Sequence, residues 1–151
     1  MYYSRSAEYA IRALTLMSTF FEGKYFQVKQ ITRMEDISPT YLSKILRDLT
    51  KAGLLTSVRG PAGGFCLSKP PQDITLKEVV EIIDGCKIFN GCLLGDMDCD
   101  ERHPCEMHDS FESVRTKLTT CFQSCNFKTL SDRYALDRAD SLAEFKKFME
   151  I

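Results

Sequence analysis

The stretch SPTYLSKILRDLTKAGLLTSVRGPAGGFCL, Ser38 to Leu67, carries three local signals in succession, and together they decide the fold. Ser38 followed by Pro39 is a helix start, because proline at the first helical position gives up an amide that would have no partner there, and Gly53 after Ala52 is a helix stop. Between them Leu42, Ile45, Leu46 and Leu49 recur three and four apart and form one apolar stripe. The opposite face offers Thr40, Tyr41, Ser43, Lys44, Arg47 and Lys51, all hydroxyl-bearing or basic. Leu54 to Arg59 then reads as a strand, Gly60-Pro61-Ala62-Gly63-Gly64 as a tight turn and Phe65 to Leu67 as the returning strand. A short helix ahead of this stretch, with Val28, Ile31 and Met34 at three-residue spacing and ending near Asp36, makes the layout a helix-turn-helix followed by a β-hairpin wing. The expected fold is mostly α with that small hairpin, a winged helix-turn-helix to which a long dimerisation helix is appended.

Such a layout binds DNA by laying its second helix in the major groove. Ser38, Thr40, Tyr41, Ser43, Lys44, Arg47 and Lys51 are the expected contacts from that helix, and Arg59, Gly60, Pro61 and Gly63 those from the wing, where glycines let the backbone approach a phosphate or enter a minor groove. No helix opens after the glycines and no Gly-Lys-Ser/Thr follows, which excludes a nucleotide-binding loop. Charge is distributed to match. The net charge is -1, yet residues 1–71 hold ten Lys and Arg against five Asp and Glu, while residues 72–151 hold ten against sixteen. A basic half suits a polyanion, and an acidic half would be repelled by one.

Upstream, Ala7, Ala10, Ile11, Leu14, Met17, Phe20 and Phe21 mark an amphipathic helix capped by Ser4 or Ser6, with Glu8 in its first turn and Gly23 breaking it. Downstream of Lys69-Pro70-Pro71, a capping box from Thr75 to Glu78, with Ile74 and Val79 as a staple, starts a helix that Gly85 ends.

Beyond Gly85 lies NGCLLGDMDCDERHPCEMHD, Asn90 to Asp109, which gathers Cys92, Cys99, Cys105 and both histidines into one polar loop. Three thiolates and an imidazole suit a tetrahedral zinc ion or an iron-sulfur cluster. The stretch is rich in Asp, Glu, Gly, Asn and Arg, which leaves little to bury these cysteines as small hydrophobes. Met107, Phe111, Val114, Leu118, Cys121 and Cys125 then alternate by four and three, a heptad seam on which two copies can pair; Cys121 and Cys125 read as interface hydrophobes and Cys66 as a buried one. Thr129 to Leu136 reads as a short helical turn, and Ser141 with Glu144 as a capping box before Leu142, Phe145, Phe148 and Met149. The division expected is a DNA-binding domain over residues 1–84, a cysteine-rich loop over 85–109, and a dimerisation helix with a C-terminal tail over 110–151.

The chain has no charged-then-apolar leader and no long apolar run, so a cytoplasmic protein with no membrane partner is expected. Seven cysteines, an odd number, fit metal binding or reduced thiols better than a disulfide framework. With both histidines beside the cysteine loop, no separate nucleophile, base and orienting group can be assembled, so a cysteine-dependent enzyme is the weakest reading and no enzyme is expected.

Tyr9-Ala10-Ile11-Arg12-Ala13-Leu14, Ile37-Ser38-Pro39-Thr40-Tyr41-Leu42, Ala52-Gly53-Leu54-Leu55 and Val58-Arg59-Gly60-Pro61-Ala62-Gly63-Gly64-Phe65 together resemble the Rrf-two family of bacterial winged-helix transcriptional regulators over roughly residues 1–136, a family that includes IscR- and NsrR-type members. The resemblance implies a homodimer on an operator, sensing iron-sulfur status, nitric oxide or redox state through a cluster on Cys92, Cys99 and Cys105. The cluster would be [2Fe–2S] or, alternatively, [4Fe–4S]. It also implies a fourth ligand, either His108 of the same loop or Glu8 supplied by the other subunit. Six residues separate Cys92 from Cys99 where the IscR pattern has five. A structural zinc ion in the same site is the alternative cofactor.

Overall fold

A computed structural model describes residues 2–95 and 99–149. Helix α1 (Arg5–Thr19) is the central element, and the Ser4 side chain caps it by accepting from the Ala7 amide. Ala7, Ala10 and Ala13 are fully buried along it beside Leu14, Leu16 and Met17. Three alanines on one helix let neighbouring helices approach closely, and the larger residues fill the space between them. The helix stops before Phe20 and Phe21, two residues earlier than the periodicity predicts.

Helices α2 (Val28–Glu35) and α3 (Pro39–Lys51) form the helix-turn-helix. Asp36 takes the left-handed conformation between them (φ 47°), which Asp tolerates better than most residues, and Ile37 is buried. Leu42, Ile45, Leu46 and Leu49 all point into the core. Ser38 stands at the cap position of α3, but its side chain makes no capping bond.

Strands β1 (Leu55–Val58) and β2 (Gly64–Leu67) pair antiparallel, with Leu55 opposite Leu67 and Val58 opposite Gly64. Phe26 adds a third rung to this wing through two backbone bonds to Phe65, of 2.8 and 2.9 Å. Gly64 makes that rung possible: its φ is +150°, and a Cβ there would lie 2.4 Å from the Phe26 carbonyl oxygen. The Gln27 amide side chain donates to Pro61 O, tying the wing turn to the start of α2.

Helix α4 (Leu76–Asp84) begins at Thr75, whose hydroxyl accepts from the Glu78 amide, and ends at Gly85. Only half of the predicted capping box forms, because the Glu78 carboxylate turns to Lys69 instead, at 2.9 and 3.0 Å. Helix α5 (Lys87–Asn90), one turn that the sequence reading did not anticipate, follows at once. Helix α6 (His108–Ser124) returns from the cysteine loop and packs on α4 and α5 through Phe122, which lies against Phe89. A bridge between Thr75 and Asn126 ties the start of α4 to the end of α6.

The remaining chain corrects two expectations. Instead of a short turn over 129–136, helix α7 (Phe127–Asp137) is eleven residues long, is capped by the Asn126 side chain on the Thr129 amide, and packs along α1. Helix α8 (Ala139–Phe148) starts two residues before Ser141, so the Ser141–Glu144 box does not cap it; Leu142 and Phe145 join the same core as α1 to α4. No helix among the described residues is long and apolar enough to cross a membrane.

Among the described residues, one charged side chain lies inside this core. Glu35, only 1% exposed, receives Arg12 Nε on Oε2 (2.9 Å) and the Tyr134 hydroxyl on Oε1, and its backbone carbonyl accepts from a second Arg12 nitrogen. The Arg138 guanidinium lies 3.7 Å from Oε1. A buried carboxylate is tolerable only when paired and hydrogen-bonded in this way.

Candidate metal centre and nucleic-acid interface

The cysteine loop leaves α5 and ends at the first turn of α6. Its start is held by Arg115 of α6, which donates to Gly91 O (3.4 Å). Its end is fixed because His108 is itself the first residue of α6. The Sγ atoms of Cys92, Cys99 and Cys105 all lie within 4.8 Å of one another, and Cys92 and Cys105 are 3.6 Å apart. His108 Nδ1 lies 3.3 Å from Cys99 Sγ. The other histidine goes elsewhere, His103 facing Asp100 at 3.4 Å and standing in solvent. The spacing in the sequence singles out His108, with two residues between it and Cys105, and passes over His103. Asp96, Met97 and Asp98 of the loop lie outside the described residues.

The donor set fits a thiophilic group. Two thiolates on one tetrahedral ion, with metal–sulfur bonds of about 2.3 Å, sit about 3.8 Å apart, close to the Cys92–Cys105 separation. The Cys105 amide donating to Cys99 Sγ (3.5 Å) favours the thiolate, but burial, hydrogen bonding to the Cys105 and Cys92 thiols and the charge of Cys105 outweigh it, pushing Cys99 up to about 11. Crowded thiols resist ionising together unless a cation sits among them, and a bound metal supplies that charge. Within the one chain, Glu8 is half-buried on α1 and faces Arg12 at 3.7 Å.

The face of α3 that turns from the core carries the predicted basic and hydroxyl residues. Ser38, Thr40, Tyr41, Lys44, Arg47 and Lys51 line one open depression together with Asp48, which sits 3.6 Å from Lys51 and which the sequence reading left out. Their side chains are not equally available. Tyr41 bonds through its hydroxyl to Ser6 Oγ and meets the Tyr9 ring edge-on, so it ties α3 to α1. Ser43 donates to Pro39 O (2.7 Å) and Arg47 Nε to Ser43 O (3.1 Å). In the wing, Arg59, Gly60 and Pro61 are exposed, whereas Gly63 is buried with its amide on Gly60 O.

On the seam of α6, Met107 and Val114 are exposed at 38% and 49%, and Cys121 is exposed as well. Phe111, Leu118 and Cys125 are half-buried, with Leu118 also touching the Phe89–Phe122 cluster. Cys66 is buried, and burial pushes its thiol up.

The sequence is similar to that of a protein of Aquifex aeolicus (strain VF5) named as an HTH-type transcriptional regulator, 30% identical over 132 residues that span 86% of this chain and 91% of that one. Protein aau3 of Rhizobium meliloti (strain 1021) is 31% identical over 130 residues, 85% of this chain and 82% of its own. The fold is similar to that of CymR (YrzC), the global cysteine regulator of B. subtilis, with a TM-score of 0.72 at 19% identity, covering 86% of this chain and 95% of the other. It is also similar to T. potens IscR, with a TM-score of 0.69 at 24% identity and 86% of each chain covered. Residues 3–133 match the family described as iron-dependent transcriptional regulator, so the chain that carries this thiol loop behind a winged helix belongs to the Rrf2 (Rrf-two) family of transcriptional regulators, whose members are not enzymes.

Proposed function

We propose that the protein is a homodimeric, operator-binding regulator that senses iron-sulfur status, nitric oxide or redox state through an iron-sulfur cluster held by Cys92, Cys99, Cys105 and His108. The observation that carries the reading is the convergence of three thiols within 4.8 Å, with His108 Nδ1 3.3 Å from Cys99, in a loop that ends at the start of α6. A cluster supplies reversible loss, oxidation or modification at sulfur-ligated iron. The protein's part is mechanical. His108 is both a donor and the first residue of α6, so a change in the loop acts on the helix whose outward seam pairs the two copies. The bridge from Thr75 to Asn126 ties the far end of α6 to α4, and α4 packs on α3. Ser38, Thr40, Lys44, Arg47, Lys51, Arg59, Gly60 and Pro61 are the DNA-facing set, with Tyr41, Ser43 and Gly63 holding the helix and wing in place. In this division residues 1–84 read DNA, 85–109 sense and 110–151 pair the copies, with α7 also packing back on α1 and Phe145 of α8 lying against Phe20, just past the end of α1.

The test is the visible spectrum of protein purified without oxygen, with iron and sulfide counts. A brown protein that loses its colour in Cys92→Ala, Cys99→Ala or Cys105→Ala, yet stays folded and keeps nonspecific DNA binding, supports the reading. Comparing His108→Ala with Glu8→Ala identifies the fourth ligand by which one shifts the spectrum. The second reading, a structural zinc ion, is favoured by the 3.6 Å separation of Cys92 and Cys105. It predicts a colourless protein with one zinc per chain.

A further inference from the structure

The turn of the helix-turn-helix is gripped by residues that come after the family match. That match ends at residue 133. Immediately beyond it, the Tyr134 hydroxyl donates to Glu35 Oε1, and the Arg138 guanidinium lies 3.7 Å from the same oxygen while covering the Tyr134 ring at 4.9 Å. Two residues earlier on α2, Arg33 lies over the ring of Phe148 at 4.1 Å. So buried Glu35 and exposed Arg33, both in the last turn of α2, are held from α7 and α8. Glu35 is the last residue of α2, and α3 starts only four residues later, through a left-handed Asp36 and a buried Ile37. With so short a connection, a rotation at Glu35 is transmitted to α3. On the other side of the carboxylate Arg12 alone holds Oε2, so without the Tyr134 side the charge is held from α1 only.

We propose that Tyr134 and Arg138 are positioning residues for DNA recognition: acting through buried Glu35, the C-terminal helices set the angle at which α3 meets the groove. The proposal rests on α3 being the groove-reading helix. It separates two things that a stabilising contact would not. Fixing the angle of α3 matters for reading base edges, whereas sequence-independent attraction to phosphates depends on the charge of the exposed face.

The experiment uses the full chain, a duplex selected by the wild-type protein from a random-sequence pool, and a scrambled duplex of equal length at the same salt. Tyr134→Phe, which removes one oxygen and keeps the ring, is expected to weaken binding to the selected duplex by about tenfold, the value of one hydrogen bond to a buried charge, and Arg138→Ala, which removes a cation 3.7 Å from the same oxygen, by a smaller factor of about threefold. Scrambled-duplex binding is expected to stay within about twofold, since the basic face is untouched. Arg138→Lys, which restores a cation near Oε1, is expected to recover most of the loss. Unchanged selected-duplex affinity in both variants, even with a lowered melting temperature, would make the contacts merely structural and overturn the proposal. So would an equal loss on both duplexes. If Tyr134→Phe fails to fold, Arg138→Ala decides alone, because its side chain is 43% exposed. A wild-type protein that selects no duplex overturns the DNA reading and the proposal with it; equal selectivity in wild type and variants overturns the proposal alone.

Discussion

Replacing Gly64 by alanine is expected to destabilise the protein far more than replacing Gly60, although both glycines have positive φ. At Gly60 (φ +114°) an added Cβ meets nothing within 4 Å, so the cost is backbone strain alone, about 1–2 kcal/mol. At Gly64 (φ +150°) the same strain applies, and the Cβ would also lie 2.4 Å from Phe26 O and 2.6 Å from its carbonyl carbon. Both are backbone atoms, which cannot swing aside as a side-chain tip can. Relief requires Phe26 to part from Phe65, breaking the two bonds of 2.8 and 2.9 Å at about 1 kcal/mol each. The expected loss at Gly64 is therefore about 3–4 kcal/mol. Equilibrium urea unfolding with an unchanged m-value measures the difference directly. Two variants that agree to within about 0.5 kcal/mol would refute the reasoning, because Phe26 would then not be a fixed third rung of the wing.

Other measurements bear on the proposed interfaces. Lys44, Arg47, Lys51 and Arg59 provide eight candidate phosphate contacts in a dimer, so a log-log plot of affinity against salt should fall with a slope of up to about -7, and Arg59→Ala should flatten it by up to about 2. A salt-independent affinity would remove the basic face as the DNA surface. Val114→Asp is expected to leave a folded monomer in sedimentation, since Val114 is 49% exposed in the single chain and a charge there harms only a paired surface. Leu118→Asp is expected to separate the copies too, at the added cost of the Phe89–Phe122 cluster that Leu118 touches. Thiol labelling should reach Cys86 early and Cys66 only on unfolding, because Cys66 is buried and its thiol is held above the usual range by that burial. Rapid labelling of Cys66 in the native protein would contradict the packing of β2.

Much of this architecture is written in short-range patterns. The stripe of Leu42, Ile45, Leu46 and Leu49, the stop at Gly53, the glycine turn of the wing and the cap at Thr75 each depend on residues within a few positions of one another, and all appear where the sequence places them. The features it did not disclose have distant or mixed causes. Helix α7 looked like a brief turn because Lys128, Asp132, Arg133 and Asp137 crowd its outer face and conceal the inward line of Phe127, Leu130 and Tyr134. Phe26 joins the wing only because a loop nearly forty residues away returns beside it. Glu35 carries no local mark of burial, since Arg12, Tyr134 and Arg138 become its neighbours only after α1, α2 and α7 have packed. At the candidate centre the thiols and His108 were legible as a set, but only the fold shows that His108 approaches Cys99 while His103 turns to Asp100.

Among the described residues, Arg115 on Gly91 anchors the cysteine loop at one end and the start of α6 at the other. The entropy of closing a segment on itself grows only with the logarithm of its length, so lengthening the arc from Cys92 to Cys99 by one residue changes the closure cost by about 0.1 kcal/mol. Against the energy of even one metal–sulfur bond this is nothing. The interval between the first two cysteines is thus a soft variable, and what a bound group demands is that the thiols be able to reach it, however many residues hang between them.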